Sequence, residues 1–120
     1  MTKDFEVPAD LKERQNDFLS ELKKKRGKIR VGVNEVTKAI ERDTAKLVIV
    51  ARDVTPAEIV MHLPLLCKEK KVPFSFSDTK KELGEKSGIH VGTAAIAVVD
   101  AGEMQKELES ITKRLQDLSK

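Results

Sequence analysis

Leu47-Val48-Ile49-Val50-Ala51 is the stretch that decides the fold. A strand with one face in water alternates apolar and polar residues. This run has no polar position, so it reads as a strand covered on both faces. Ala94 to Val99 is a second run of the same kind. Both are far too short to cross a bilayer. Two covered strands in one short chain need helices on both sides of a sheet.

Helix and strand signals fill the chain outward from that run. Before it, Asn34 reads as the N-cap of a short helix to about Arg42. Ile29 to Val33 alternates as a short strand. Further back, residues 8–25 carry Leu11, Phe18, Leu19 and Leu22 on one stripe, with Pro8 at the first helical position and Gly27 as the stop. After the run, Thr55-Pro56-Ala57-Glu58 combines a capping box with a first-turn proline. That helix continues through Ile59, Leu63, Leu66 and Cys67 to about Lys71. Pro64 inside it lacks an N–H and predicts a kink or a break. Phe74-Ser75-Phe76 alternates as a strand. Thr79-Lys80-Lys81-Glu82 is a second capping box, opening a helix that Gly88 closes. Met104, Leu108, Ile111, Leu115 and Leu118 repeat at helical spacing to the end. Helices and strands alternate throughout, which predicts the α/β class: a three-layer α/β/α sandwich around a central mixed sheet of about four strands. The 120 residues suit a single domain over 1–120, without repeats, low-complexity segments or long linkers.

Charged residues make up 36% of the chain, yet the net charge is only +3. Any electrostatic partner must therefore be argued from where the charges lie. The one cysteine, Cys67, rules out an internal disulfide and a cysteine metal cluster, and it fits a reducing compartment. Met1-Thr2-Lys3-Asp4 carries no apolar signal core, so the expectation is a soluble, cytoplasmic protein with no membrane partner. Four Phe, no Trp and no Tyr count against RNA binding through aromatic stacking platforms.

Catalytic motifs are missing. His62 precedes Cys67 by five residues on a helix, so the two point apart. There is no His-Glu-x-x-His run and no serine elbow. His62 reads as a surface or half-buried residue and Cys67 as a small core residue. Gly84, Gly88 and Gly92 are spaced by four, which fits neither a dinucleotide fingerprint nor a P-loop. No enzyme, cofactor or metal is expected.

Lys23, Lys24, Lys25, Arg26, Lys28 and Arg30 place six positive charges in eight residues. Such a run is usually a solvated face. Here it leads into the helix start at Asn34, where free backbone N–H groups and the helix dipole favour phosphate. Lys38 and Arg42 are four apart on one face of that helix, and Lys38 is four from Asn34. Glu35 is unexpected in a pure phosphate site. A carboxylate beside an amide and an ammonium suits the reading of base edges: it accepts from base N–H while the others donate. It suits equally a helix start at which Asn34 caps and Glu35 favours the dipole. Both readings stay open on these residues alone. Gly88-Ile89-His90-Val91-Gly92 also has two readings. It is an apolar loop awaiting an unstacked base, or a loop whose Ile89 and Val91 fold inward.

Gly32-Val33-Asn34-Glu35-Val36-Thr37-Lys38-Ala39 resembles the signature of the kink-turn-binding large-subunit ribosomal protein family. His62-Leu63-Pro64-Leu65-Leu66-Cys67, Val72-Pro73-Phe74, Leu83-Gly84 and Ala94-Ala95-Ile96-Ala97 resemble its later segments in the same order. Phe5-Glu6-Val7-Pro8 is similar to its archaeal members. The resemblance implies an α/β/α sandwich that binds a kink-turn, an RNA helix bent at a short internal loop beside tandem sheared G·A pairs. It implies as partners ribosomal RNA, box C/D and box H/ACA guide RNAs, ribonuclease P RNA and the proteins of guide ribonucleoproteins, with the free protein a monomer. The alternative is a protein-interaction subunit of a ribonucleoprotein that uses the same fold without reading RNA.

On the same resemblance, Asn34, Glu35 and Lys38 would read the guanines and Gly32 would allow close backbone approach. Lys28, Arg42 and Lys80 would contact phosphates. Ile89, His90 and Val91, helped by Ile59 and Ala94, would line a loop around a flipped-out nucleotide. The chain departs from the family's pattern in three places. An acidic residue that contacts the flipped base is common where Thr55 stands, though Thr55 could still hydrogen-bond. Many members carry proline where Gly92 stands, which implies a more mobile loop here. His90 occupies a variable position, at which it would tune preference among related bent RNAs.

Overall fold

The structure is a computed structural model, and it describes residues 7–55, 58–89 and 91–118, without the side chain of Ile59. Within these residues the order is α1 (Ala9–Leu22), β1 (Lys28–Val31), α2 (Val33–Glu41), β2 (Leu47–Ala51), α3 (Glu58–Lys70), β3 (Phe74–Ser77), α4 (Lys80–Lys86), β4 (Ala95–Asp100) and α5 (Gln105–Leu118). One four-stranded mixed sheet runs in the order β1-β4-β2-β3. β4 lies antiparallel to both β1 and β2, and β2 is parallel to β3. On one side α2 and α3 pack on each other; on the other α1 packs on α4 and α5. This is the α/β/α sandwich that the sequence predicts.

The two all-apolar runs occupy the two central positions. All five residues of β2 are buried, as are Ala95 to Val98 of β4. Burial on both faces explains why neither run has a polar position. The edge strand β1 alternates exposed Lys28 and Arg30 with half-buried Ile29 and Val31. Charged residues on an edge also discourage pairing with a further strand. β3, the other edge, is tied to α1 by Gln15. The amide of this buried residue donates to Phe76 O at 3.0 Å, and its carbonyl accepts from Ser75 Oγ at 2.6 Å.

Helix ends follow local chemistry, with three corrections. Pro8 is the N-cap of α1 rather than its first helical residue. Of the kink or break expected at Pro64, the break does not occur: α3 runs through it from Glu58 to Lys70. Asn34 does not cap α2; that position belongs to Gly32, with φ 94° and ψ 152°. The chain leaves β1 and turns into α2 through a conformation that only glycine adopts readily, so backbone geometry decided the cap over side-chain preference. Thr79 does cap α4, its hydroxyl accepting from Glu82 N–H at 3.0 Å. Gly88, at φ +79°, closes α4: its N–H bonds Glu85 O and the next N–H, Ile89, bonds Gly84 O. This paired pattern satisfies the last carbonyls of the helix. The capping box at Thr55 includes Pro56 and Ala57, which lie outside the described residues.

Candidate nucleic-acid interface

Backbone bonds gather the loops at one end of the sheet. Gly32 N–H donates to Ala95 O at 3.0 Å and Ala51 N–H to Ala94 O at 2.8 Å. The ends of β1 and β2 therefore flank the start of β4. Arg52 N–H bonds Ser77 O at 2.9 Å, bringing the end of β3 alongside. Lys80 is the knot between loops. Its N–H donates to Asp53 Oδ1 at 2.8 Å and its carbonyl accepts from Thr93 N–H at 3.1 Å, while its side chain stays exposed. Gly32, Lys80 and Ala94 thus belong to this end, and the loops that carry Thr55 and Val91 are tied to it through Asp53 and Thr93, whereas Ile89 bonds back to α4, its N–H donating to Gly84 O at 3.1 Å. In open α/β sheets, the carboxyl ends of the strands are where ligands bind.

α2 starts here. Its first hydrogen bond runs from Val36 N–H to Gly32 O at 2.9 Å, and no side chain caps it. The N–H groups of Val33, Asn34 and Glu35 therefore have no acceptor inside the helix. Asn34 and Glu35 are exposed. Released from capping, the Asn34 amide is free to face a ligand. Two clefts flank this start. One is lined by Gly32, Val33, Asn34, Glu35, Glu58 and His62. The other runs down the edge of the sheet and is lined by Lys28, Arg30, Glu35, Lys38, Arg42 and Asp100 among others. Glu35 lines both, standing on the ridge between them, and Lys38 Nζ lies 3.5 Å from its carboxylate. An exposed pair of this kind is worth little in water, so both groups can turn to new partners cheaply.

The second cleft explains how distant residues meet. Lys28 opens β1 and Arg42 follows the end of α2, yet both line it. Lys23, from the same basic run, goes elsewhere: its ammonium donates to Gly88 O at 3.2 Å. Lys28 and Arg30 thus serve two surfaces: they line the cleft beside α2, and with Lys23 they line another against Gly27 and Ser87.

That loop is held from below by Gly84. A Cβ at Gly84 would sit 1.8 Å from Val91 O and 3.2 Å from Gly92 Cα, so the loop lies directly on the helix where no side chain exists. Ile89 is half-buried, whereas Val91 is 66% exposed. The two readings of the loop are thus shared between its residues: Ile89 turns partly inward, and Val91 faces solvent. His90 and the side chain of Ile59 lie outside the described residues.

Three polar residues at this end were missed as site residues by sequence reasoning: Glu58 and His62, which line a cleft beside Asn34, and Asp53, which anchors Lys80. His62 Nε2 lies 3.0 Å from Thr37 Oγ1. Nothing in local periodicity places α3 beside the first turns of α2. Asp53 carried a signal, since an acidic residue is a good partner for a helix start, but its helix begins 27 residues later. Among the described residues no group of three or more His, Cys, Asp or Glu could hold a metal ion. Cys67 is buried, and that burial pushes its thiol up to about 12.

The fold and these clefts define an α/β/α sandwich whose polar surface is built at one sheet end and along one edge, around the start of a single helix. Residues 16–108 match the model of the Ribosomal protein L7Ae/L30e/S12e/Gadd45 family, and the chain belongs to that family. Its structure is similar to that of the Giardia lamblia 15.5kD RNA binding protein, with a TM-score of 0.85 and 29% sequence identity over 93% of this chain and 92% of that one. Membership of this non-enzymatic family, rather than any missing group, is what supports the expectation that the chain is not an enzyme.

Proposed function

We propose that this protein binds RNA and recognises kink-turns with tandem sheared G·A pairs. The observation that carries the reading is the uncapped start of α2, where an exposed amide and carboxylate stand beside a basic cleft. A sheared pair leaves much of the guanine Watson–Crick edge free. Glu35 accepts from guanine N–H groups, and Asn34 and Lys38 donate to its oxygens and ring nitrogens. Gly32 brings the backbone close. Lys28, Arg42 and Lys80 meet phosphates. Val91 and Ile89, with His90, Ala94, Ile59 and Thr55, surround the flipped-out nucleotide. The family and the likeness to an RNA-binding protein of Giardia support the class of ligand.

Binding only the bent RNA shifts its equilibrium toward that state by the difference in affinity. The protein so acts as a scaffold in ribonucleoproteins: the large ribosomal subunit, box C/D and box H/ACA guide particles and ribonuclease P, in the cytoplasm. It works with the proteins of guide particles and is a monomer when free. The test is a calorimetric or gel-shift series on a kink-turn RNA. Glu35→Ala and Lys38→Ala weaken binding far more than Lys113→Ala, which changes an exposed residue of α5. Equal affinity in all three variants sinks the assignment. Crosslinking in cells followed by RNA sequencing identifies the particles.

A second reading, a protein-docking subunit, is favoured by Met61 and Leu65, four apart on α3 and 49% and 54% exposed. It prevails if the protein ignores a duplex with tandem G·A pairs and still captures protein from nuclease-treated lysate.

A further inference from the structure

His62 belongs to none of the interactions assigned above, yet its ring ends on the first turns of α2. The hydroxyl of Thr37 donates to Val33 O at 2.7 Å. A hydroxyl has one proton, and this one is committed. Thr37 Oγ1 can only accept along its 3.0 Å contact with His62 Nε2. A ring that carries its proton on Nε2 completes that contact as a hydrogen bond. The chain of bonds runs in one direction: His62 Nε2–H to Thr37 Oγ1, Thr37 O–H to Val33 O.

Val33 O belongs to the same rigid peptide unit as the N–H of Asn34. Fixing the carbonyl at one end of that plane fixes the direction of the N–H at the other. That N–H is one of the free donors at the uncapped helix start. The turn is held by its backbone bonds, Gly32 N–H to Ala95 O and Val36 N–H to Gly32 O, and α3 adds a side-chain bond to it. Hydrogen bonds in series strengthen one another by polarisation; His62 is exposed and Thr37 half-buried, so the inner bond to Val33 O is the better shielded of the two.

We infer that His62, as its Nε2–H tautomer, is a positioning residue that acts through Thr37 and Val33 to aim the Asn34 peptide at its ligand. The part of this inference that concerns RNA rests on the function proposed above; the part that concerns the tautomer does not.

Two measurements test it separately. Ring nitrogen NMR shifts of the free protein show a protonated Nε2 and an unprotonated Nδ1 in the neutral imidazole. A protonated Nδ1 with bare Nε2 overturns the inference whatever the RNA does. Calorimetry with a kink-turn RNA then compares variants that melt like the parent. His62→Ala weakens binding about two- to tenfold, the range of one net hydrogen bond. His62→Gln, whose amide can donate to Thr37, restores it. Thr37→Val reproduces the loss, and adding it to His62→Ala costs nothing more. If His62→Gln binds as weakly as His62→Ala, or the two losses add, the strut is refuted. Should His62→Ala unfold, Thr37→Val and the tautomer still decide. A parent protein that ignores the RNA refutes the proposed function, and the ring shifts then judge the strut alone.

Discussion

Gly32→Ala separates backbone geometry from every other effect at the helix start. Gly32 has φ 94° and ψ 152°, a region in which an L-residue is strained by about 1–3 kcal/mol. A Cβ built there meets nothing within 4 Å. No clash adds to the strain and no new contact offsets it. If the turn holds its shape, the whole cost appears as lost stability. With an unfolding entropy of about 2.1 cal/mol/K per residue, it lowers the melting temperature of a chain this size by roughly 4–12 °C. If the turn relaxes instead, part of that stability returns. The Gly32 N–H then leaves Ala95 O, now 3.0 Å away, and the Asn34 peptide swings off target, so RNA affinity falls. Strain therefore shows in one readout or the other. The assay is thermal unfolding beside calorimetric titration of a kink-turn RNA. Gly92→Ala is the control, since its Cβ makes only ordinary contacts from 3.5 Å outward. A Gly32→Ala protein with unchanged melting temperature and unchanged affinity refutes the reasoning.

Three further outcomes are expected. Gly84→Ala destabilises the protein and moves the loop carrying Val91, seen as amide shifts over residues 88–92. In an unhindered helix the same change stabilises by about 0.4–1 kcal/mol, so a gain would show that the loop does not rest on the helix. Gln15→Leu removes the bond to Phe76 O and takes the acceptor from the buried Ser75 hydroxyl, which costs about 1–3 kcal/mol for that hydroxyl in urea unfolding. Adding Ser75→Ala recovers part of the loss, whereas strictly additive effects would contradict the shared bond. Cys67 resists thiol reagents at neutral pH until the chain unfolds. Its pKa is raised on folding from 9.0 to about 12, so the unfolded state releases its proton first. Stability contributed by the thiol is full below pH 9 and falls as pH rises toward 12; a Cys67→Ala protein with the same alkaline slope would contradict this.

The layers were legible because burial leaves a simple mark. β2 and β4 are central strands and carry no polar residue among their buried positions, so composition alone located them. Thr79 and Gly88 were legible for a similar reason: each satisfies backbone groups within its own helix end, and local sequence contains the whole interaction. Asn34 misled because cap preference measures how well a side chain accepts a hydrogen bond. At this turn the choice fell to the dihedral angles needed to leave an edge strand, and a glycine two residues earlier met them.

That displacement changes what Asn34 can do. A capping asparagine spends its side-chain oxygen on its own helix. At the second helical position the amide keeps both its donor and its acceptor, and the helix keeps its free N–H groups. Of the two readings left by the residues alone, the geometry removes the capping role of Asn34, while Glu35 stays in the first turn of the helix. The remaining parts of the site were illegible for a different reason. Lys28 meets Arg42, and His62 meets Thr37, only because α2 lies against both the sheet edge and α3. Contacts between elements leave no periodic trace in either partner. A surface that depends on them can be proposed from sequence only through likeness to a chain already folded the same way, and even that likeness, which includes the His62 segment, did not pair His62 with Thr37.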